Sequence, residues 1–256
     1  MQVVRNELGW NTTPSWVSFG TEAITVGVPA RMQPNWVFDA KRMIGSLFTD
    51  ENIHEHKKYW PFKIKEGEQQ RIEIMLENAS VGPEISPEGV SAEVLKELKL
   101  QAEKISGLPV KKGVITVPAY FNQAQKKATE QACQIAGIEL ERLISEPNAA
   151  AYSGGLMRES ELDGKNVMVF DFGGGTFDVT IVVPEAGMID VMGTSGDMAL
   201  GGRDIDLKLM EFILEHFRTE TGQDLQDDKE TQKILTLECE RAKKALTDAE
   251  EFMIEV

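Results

Sequence analysis

The sequence predicts an α/β fold, and three observations carry that prediction. The apolar run Val114-Ile115-Thr116-Val117 ends at Pro118, and Asn122 follows with Gln125 three residues later. That is the order of a buried strand, a turn and a capped helix. Residues 167–183 place an apolar strand, Asp171, three glycines with Thr176 and a second apolar strand in one stretch. Ile205, Leu209, Ile213 and Phe217 recur every four residues, the spacing of an amphipathic helix.

The remaining elements follow in chain order. Val3-Val4, Trp16-Val17-Ser18-Phe19 and Ile24-Thr25-Val26 read as short strands between Asn, Pro and Gly signals. Residues 38–45 read as a short helix stopped by Gly45. Tyr59-Trp60-Pro61-Phe62 reads as an edge strand and residues 71–76 as an alternating one. Ser86 is placed to cap a helix that starts at Pro87 and runs toward Lys104, because proline at the first helical position loses no bond. Ala124, Ala128, Ala132 and Ile135 share a helical face that Gly137 ends. Residues 140–145 form a strand, and residues 146–152 a helix ending at Gly154-Gly155. Residues 159–165 are polar and turn-rich, a hinge. A strand at 189–192 leads to Gly201-Gly202. An acidic loop covers 223–230, Leu235, Cys239, Ala242 and Leu246 stripe a last helix, and residues 252–256 begin a strand.

Composition narrows the function classes. The 256 residues carry 27 Lys and Arg against 42 Asp and Glu, a net charge of −15. That field repels nucleic acid and anionic lipid, so neither is an expected partner. No apolar run reaches membrane-spanning length, and residues 1–7 lack the apolar core of a secretory signal. The two cysteines, Cys133 and Cys239, form no C-x-x-C pair, which suits a reducing compartment. A cytoplasmic location is the expectation.

The glycine turn of 173–175 carries the most chemical information. Glycine lets the backbone approach a ligand, successive N–H groups make an anion-binding concavity, and Asp171 at its mouth can hold a divalent cation or its water. The competing reading is a tight hairpin that binds nothing. Two better-known phosphate loops are missing. Gly196-Asp197-Met198-Ala199-Leu200-Gly201 has Walker-type glycine spacing, but Gly202-Arg203 stands where Lys and Ser or Thr belong, and no G-x-G-x-x-G follows a strand. His54-Glu55-His56 and His216 read as solvated rather than metal-binding.

Six segments in order then resemble one family. They are residues 38–45, Val117-Pro118-Ala119-Tyr120-Phe121-Asn122, Ser145-Glu146-Pro147-Asn148-Ala149-Ala150-Ala151, the glycine hairpin, Leu200-Gly201-Gly202-Arg203-Asp204 and Cys239-Glu240-Arg241-Ala242-Lys243-Lys244. Together they resemble the N-terminal ATPase domain of the 70-kilodalton heat-shock chaperones over nearly the whole chain. The resemblance implies the actin-like, ribonuclease H-like ATPase fold, two lobes closing on ATP or ADP with Mg2+. Residues 1–160 would be lobe I, with a subdomain IB at about 15–86, and residues 161–256 part of lobe II.

The resemblance also implies roles. Lys41 resembles the lysine that reaches the γ-phosphate and positions water, work that suits a compact ammonium. Glu146 resembles the acid that orients water or magnesium, and Asp171 the magnesium-side aspartate; a capping glutamate is the plainer alternative for Glu146. Gly173, Gly174, Gly175 and Thr176 resemble the cradle of the β- and γ-phosphates, and Gly201 and Gly202 the second lobe's phosphate-side turn. Glu240, Lys243, Lys244 and Thr247 share a helix face and resemble the adenosine clamp; a solvated charged face is the alternative. Pro118, Lys126 and Asp178 resemble residues that couple nucleotide state to a partner domain. Implied partners are J-domain co-chaperones and nucleotide exchange factors, with unfolded polypeptide clients reached only through a substrate-binding domain outside this chain.

The departures set a further expectation. No Gly-Ile-Asp-Leu-Gly-Thr-Thr type loop and no Gly-Gly-Ser-x-Arg loop occur. Lys244 and Lys126 stand for family arginines and Arg203 for a glutamate. Residues 30–36 are shorter than the family pattern, and residues 152–155 depart from it. Phosphate charge would then be met from one side, and both lobes would be incomplete. Two readings follow: an ATPase region of a chaperone, or an interaction module that binds co-chaperones without turning over ATP. A sugar kinase or a polymer-forming protein of the same fold is the third, weaker branch, since fold alone does not fix function.

Overall fold

The computed structural model describes residues 3–155 and 160–254. Among them the chain forms four small sheets with helices laid over them. β1 (Val17–Phe19), β2 (Ile24–Val26) and β3 (Trp36–Val37) make an antiparallel sheet in the order β2-β1-β3. α1 (Ala40–Met43) and α2 (Glu51–His56) follow, and β4 (Ile64–Glu66), β5 (Ile72–Met75) and β6 (Glu84–Ile85) form a second antiparallel sheet. α3 (Pro87–Ser106) packs across both sheets and against α1. Val17, Phe19, Val37, Met43, Ile53, Trp60, Ile74 and Val90 fill the space between.

β7 (Lys112–Val117) pairs in parallel with β8 (Glu139–Ser145) through α4 (Gln123–Ile135), the connection parallel strands require. The start of α4 is a full capping box. The Asn122 side chain accepts from the Gln125 N–H at 2.9 Å, and the Gln125 side chain accepts from the Asn122 N–H at 3.0 Å. Ser86 caps α3 in the expected way, accepting from Gly89 N–H at 3.1 Å. α5 (Glu146–Ser153) leaves β8 without a break. β9 (Val167–Phe172), β10 (Phe177–Glu185) and β11 (Met188–Asp197) make an antiparallel sheet, followed by α6 (Gly202–Thr221) and α7 (Lys229–Ala245). Met210, Leu235 and Cys239 are buried between these two helices, while Cys133 lies with Ala92, Val117 and Ala132 beneath α4.

Several expectations are corrected. Val3 and Val4 belong to no strand, and Tyr59–Phe62 is not a sheet edge. Lys57–Tyr59 is a 3-10 turn, Trp60 is fully buried core, and Pro61 lacks the N–H a ladder needs, so the strand waits until Ile64. β7 is half exposed rather than buried, with Val114 open to solvent. On α4, Ala128, Thr129, Ala132 and Cys133 face the core while Ala124 and Ile135 do not. On α6 the buried set is Arg203, Asp206, Leu207 and Met210, and Ile205 is exposed. Leu235, Cys239 and Ala242 are buried on α7, but Leu246 caps its end in solvent. Within 223–230, Asp228 caps α7, accepting from Thr231 N–H at 2.8 Å. Of the hinge at 159–165, Glu159 lies outside the described residues. Ser160–Leu162 is a 3-10 turn, and Gly164 has φ 70°. Residues 252–254 form no strand, and residues 255 and 256 lie outside the described residues.

Candidate functional site

The site begins as two backbone turns pressed together. Gly173 N–H donates to Thr176 C=O at 2.9 Å, closing the β9–β10 turn. The first two amides of α6 reach into it. Gly202 N–H donates to Gly173 C=O at 2.9 Å and Arg203 N–H to Gly174 C=O at 2.8 Å. A Cβ at position 201 would lie 2.6 Å from the Gly174 oxygen, so only glycine admits this approach. A helix start has orphan N–H donors; here two of them are satisfied by the hairpin.

Beside the turns sits an ionic group. Lys41 Nζ lies 2.8 and 2.9 Å from the two carboxylate oxygens of Glu146. α1 supplies the lysine, and its entry is set by Asp39, which stands in the left-handed region with φ 57°. The buried indole of Trp60 donates to Asp39 Oδ2 at 3.0 Å and holds it there. Asp171 and Asp178 face each other across β9 and β10. Asp178 is buried, and burial chiefly raises its pKa; the opposing Asp171 adds to the rise, while the Ala119 backbone and the Lys41 charge work against it. Lys41, Glu146, Asp171 and Asp178 thus gather at one place, with Ala119 bringing the turn after Pro118 to the same carboxylate. No hydrogen bond or ion pair joins the Lys126 side chain to this group among the described residues. Nor does any set of three or more His, Cys, Asp or Glu side chains there converge as a metal site.

A second ion pair ties α1 to α6. Arg42 donates to Asp204 with both terminal nitrogens, at 3.0 and 2.6 Å, and to Gly175 C=O at 3.3 Å. His56 Nδ1 donates to Asn52 C=O at 2.8 Å, which leaves Nε2 to accept from Arg42 and lie 3.5 Å from Asp204. His56 is therefore buried structure, not a solvated side chain. Burial alone would raise the Asp204 pKa. The nearby His56 ring, with the bonds and the charge of Arg42, holds it down at about 2.

Between these groups and α7 lies a cleft of about 350 Å³, walled by Lys41, Gly174, Gly175, Arg203, Glu240 and Lys243 over Trp16 and Phe38. Lys243 donates to Gly202 C=O at 2.7 Å and pairs with Asp206 at 2.7 Å. Burial raises the Asp206 pKa against that lysine. Burial also works to raise the Glu240 pKa, but its bonds to Lys244 and Arg31 outweigh that and lower it. Several buried polar atoms around the cleft have no hydrogen-bond partner among the described residues: Arg203 Nε and Nη2, Thr236 Oγ1 and Arg42 Nε. Buried polar atoms are ordinarily paired, so this cleft suits a polar ligand.

Not every expected residue lines it. Lys244 is exposed, its side chain bonds Glu240 alone among the described residues, at 2.6 Å, and Thr247 lies past the end of α7. Thr176 borders a separate hollow of about 320 Å³ with Arg42, His56 and Asn122. A larger groove of about 510 Å³, bordered by Met43, Glu68, Arg71 and Lys127, holds none of the candidate residues. Sequence reasoning gave no role to Arg42, Asp204, Arg203, Asp206 or Thr236. Position beside Lys41 or Gly202 was the available signal for the first three.

The pattern for Hsp70 protein matches residues 1–256. The chain is 41% identical over 255 residues to a heat shock cognate HSP70 protein of Trypanosoma brucei brucei, covering 96% of this chain and 37% of that relative. It is 40% identical over 264 residues to heat shock 70 kDa protein BIP3 of Oryza sativa subsp. japonica, covering 100% of this chain and 39% of that relative. A ribosome-associated molecular chaperone of Saccharomyces cerevisiae is 40% identical over 261 residues, covering 100% of this chain and 42% of that relative. The chain thus spans about two fifths of the length of these relatives. By a match over its whole length and these identities, the chain belongs to the Hsp70 family, whose actin-like ATPase fold its small sheets and covering helices follow.

Proposed function

We propose that this chain is the nucleotide-binding region of an Hsp70-type chaperone, taking ATP or ADP with Mg2+ in the cleft between the glycine turns and α7. One observation carries the reading: buried polar atoms with no hydrogen-bond partner among the described residues border a cleft whose walls include Lys41 and the glycine backbone. In a full-length chaperone of this kind the bound ATP would be hydrolysed to ADP and phosphate, driving the folding and refolding of client polypeptides. Bound magnesium would neutralise charge shared by the β- and γ-phosphates, and Asp171 and Glu146 are the carboxylates we assign to it. Two carboxylates suffice in principle, because Mg2+ keeps waters and takes phosphate oxygens.

The side chains have separable tasks. Lys41, drawn off Glu146, would meet developing phosphoryl charge and orient water. Glu146, freed of the lysine, would accept a hydrogen bond from that water. Gly173, Gly174, Gly175 and Thr176, with Gly201 and Gly202, would receive the phosphates. Glu240 and Lys243 would meet the nucleoside, with Lys244 and Thr247 at its outer margin. Asp178 and Pro118, joined through Ala119, would relay the nucleotide state toward a partner domain together with Lys126.

We assign residues 1–160 to lobe I, with subdomain IB at about 15–86, and 161–256 to lobe II. J-domain co-chaperones and exchange factors are the partners proposed, and a cytoplasmic location fits two buried, unpaired cysteines. A second reading, a co-chaperone-binding module without turnover, is favoured by the Lys41–Glu146 pair and by the hairpin's hold on the α6 amides.

Thermal unfolding with and without Mg-ATP tests the reading. At a hundredfold excess over Kd a native-state ligand adds about 2.7 kcal/mol, which raises Tm by about 5–10 °C for a chain of this size. No shift sinks the nucleotide reading. A shift without hydrolysis above background selects the second reading.

A further inference from the structure

Arg203 is a buried cation whose hydrogen-bonding capacity is unspent. Its side chain is 10% exposed, and its guanidinium lies 4.7 Å over the Phe38 ring. The nearest carboxylate oxygen, Asp39 Oδ2, is 3.8 Å from Nε and already accepts from Trp60. The other cations on the cleft wall are occupied: Lys41, Arg42 and Lys243 pair at 2.8, 2.6 and 2.7 Å with Glu146, Asp204 and Asp206. Arg203 Nε and Nη2 have no hydrogen-bond partner among the described residues. These two nitrogens form one edge of the guanidinium, and its parallel N–H bonds match two oxygens of a phosphate or carboxylate. Burying such donors unmade is costly, and the same cleft holds the fully buried, partnerless Thr236 hydroxyl.

We propose that Arg203 is a phosphate-binding residue, its Nε–Nη2 edge taking two oxygens of a phosphoryl group of the nucleotide in the cleft. A phosphoryl group is favoured over a carboxylate because Gly174, Gly175 and Lys41 line the same space, and backbone turns with lysine are phosphate chemistry. In a chain of net charge −15, an anion is held only where cations are concentrated. The inference rests on the nucleotide reading above.

Calorimetric titration of ADP, adenosine and inorganic phosphate into the wild type, Arg203→Met and Arg203→Lys tests it. Arg203→Met should weaken ADP binding about tenfold to a hundredfold, the weight of a charge-assisted bond pair, and leave adenosine binding unchanged. Arg203→Lys, with the charge but not the fork, should fall between. The ligand-free Arg203→Met protein should melt at or above the wild-type Tm, because a buried cation without a bonded partner is replaced by an apolar chain. A lower Tm with unchanged ADP affinity in both variants overturns the proposal and makes Arg203 a structural partner of Asp39. If the wild type binds phosphate but not ADP, the nucleotide reading fails; the arginine edge then stands as a phosphate site only if Arg203→Met abolishes that binding. Binding of neither ligand by the wild type overturns both.

Discussion

Gly201→Ala is expected to destabilise the protein by about 3 kcal/mol and to abolish any nucleotide-dependent rise in Tm. Gly201 has an extended backbone, so its φ imposes no strain on alanine. The cost lies in contact. The new methyl would sit 2.6, 2.7 and 2.8 Å from Gly174 O, Gly174 C and Gly175 N, all backbone atoms that no rotamer can move. The hairpin and the start of α6 would have to part, breaking the bonds from Gly202 and Arg203 N–H. Overpacking of this kind costs about 1–3 kcal/mol, and each lost bond about 1 kcal/mol more. Gly174→Ala is the control, because a Cβ there meets nothing within 4 Å. Urea unfolding should show the large loss at 201 and a change within about 0.5 kcal/mol at 174. Equal effects at the two positions would mean that the turns do not dock as described.

Asp204→Asn should cost about 3 kcal/mol at neutral pH, in the range for breaking a buried ion pair and leaving its partner uncompensated. It should also erase a pH dependence. The Asp204 carboxyl titrates at about 2 in the folded protein against an ordinary value of 3.8. A depressed folded pKa favours the native state above the unfolded value, and that contribution drains away as pH falls through the folded one. The wild type should therefore lose about 2 kcal/mol through this group between about pH 4 and pH 2. The measurement is the difference between wild-type and variant stability at pH 7, 4 and 2.5, which cancels the other carboxylates. A difference that stays constant across that range would show that Asp204 is not held by Arg42 and His56.

What was legible in the sequence was local. The Asn122–Gln125 capping box, the Ser86 cap, the stop at Gly45 and the hairpin of 171–178 are each written in a few adjacent residues, and the backbone follows them. Spacing also located α6 and α7 and, through Leu235, Cys239 and Ala242, the buried face of α7, but not that of α6. A stripe at every fourth residue names Ile205, whereas burial is decided by what packs against the helix, and that is Arg203 and Asp206 beside the cleft. Trp60 was misplaced for the same reason: an aromatic beside proline looks like a strand edge until the core it enters is assembled. The Arg42–Asp204 pair joins residues 162 positions apart, and no short-range pattern announces it. Motif order singles out the glycine turns and Lys41, which the fold brings to one cleft; the charges paired around them required the fold.

The two cysteines make the protein its own reporter of opening. Cys133 lies in the core beneath α4 and Cys239 in the separate core between α6 and α7. Burial raises both thiols, Cys239 to about 12, so neither reacts while its core is closed. Because each cysteine belongs to a different core, the order in which an alkylating reagent modifies them is the order in which the two halves come apart.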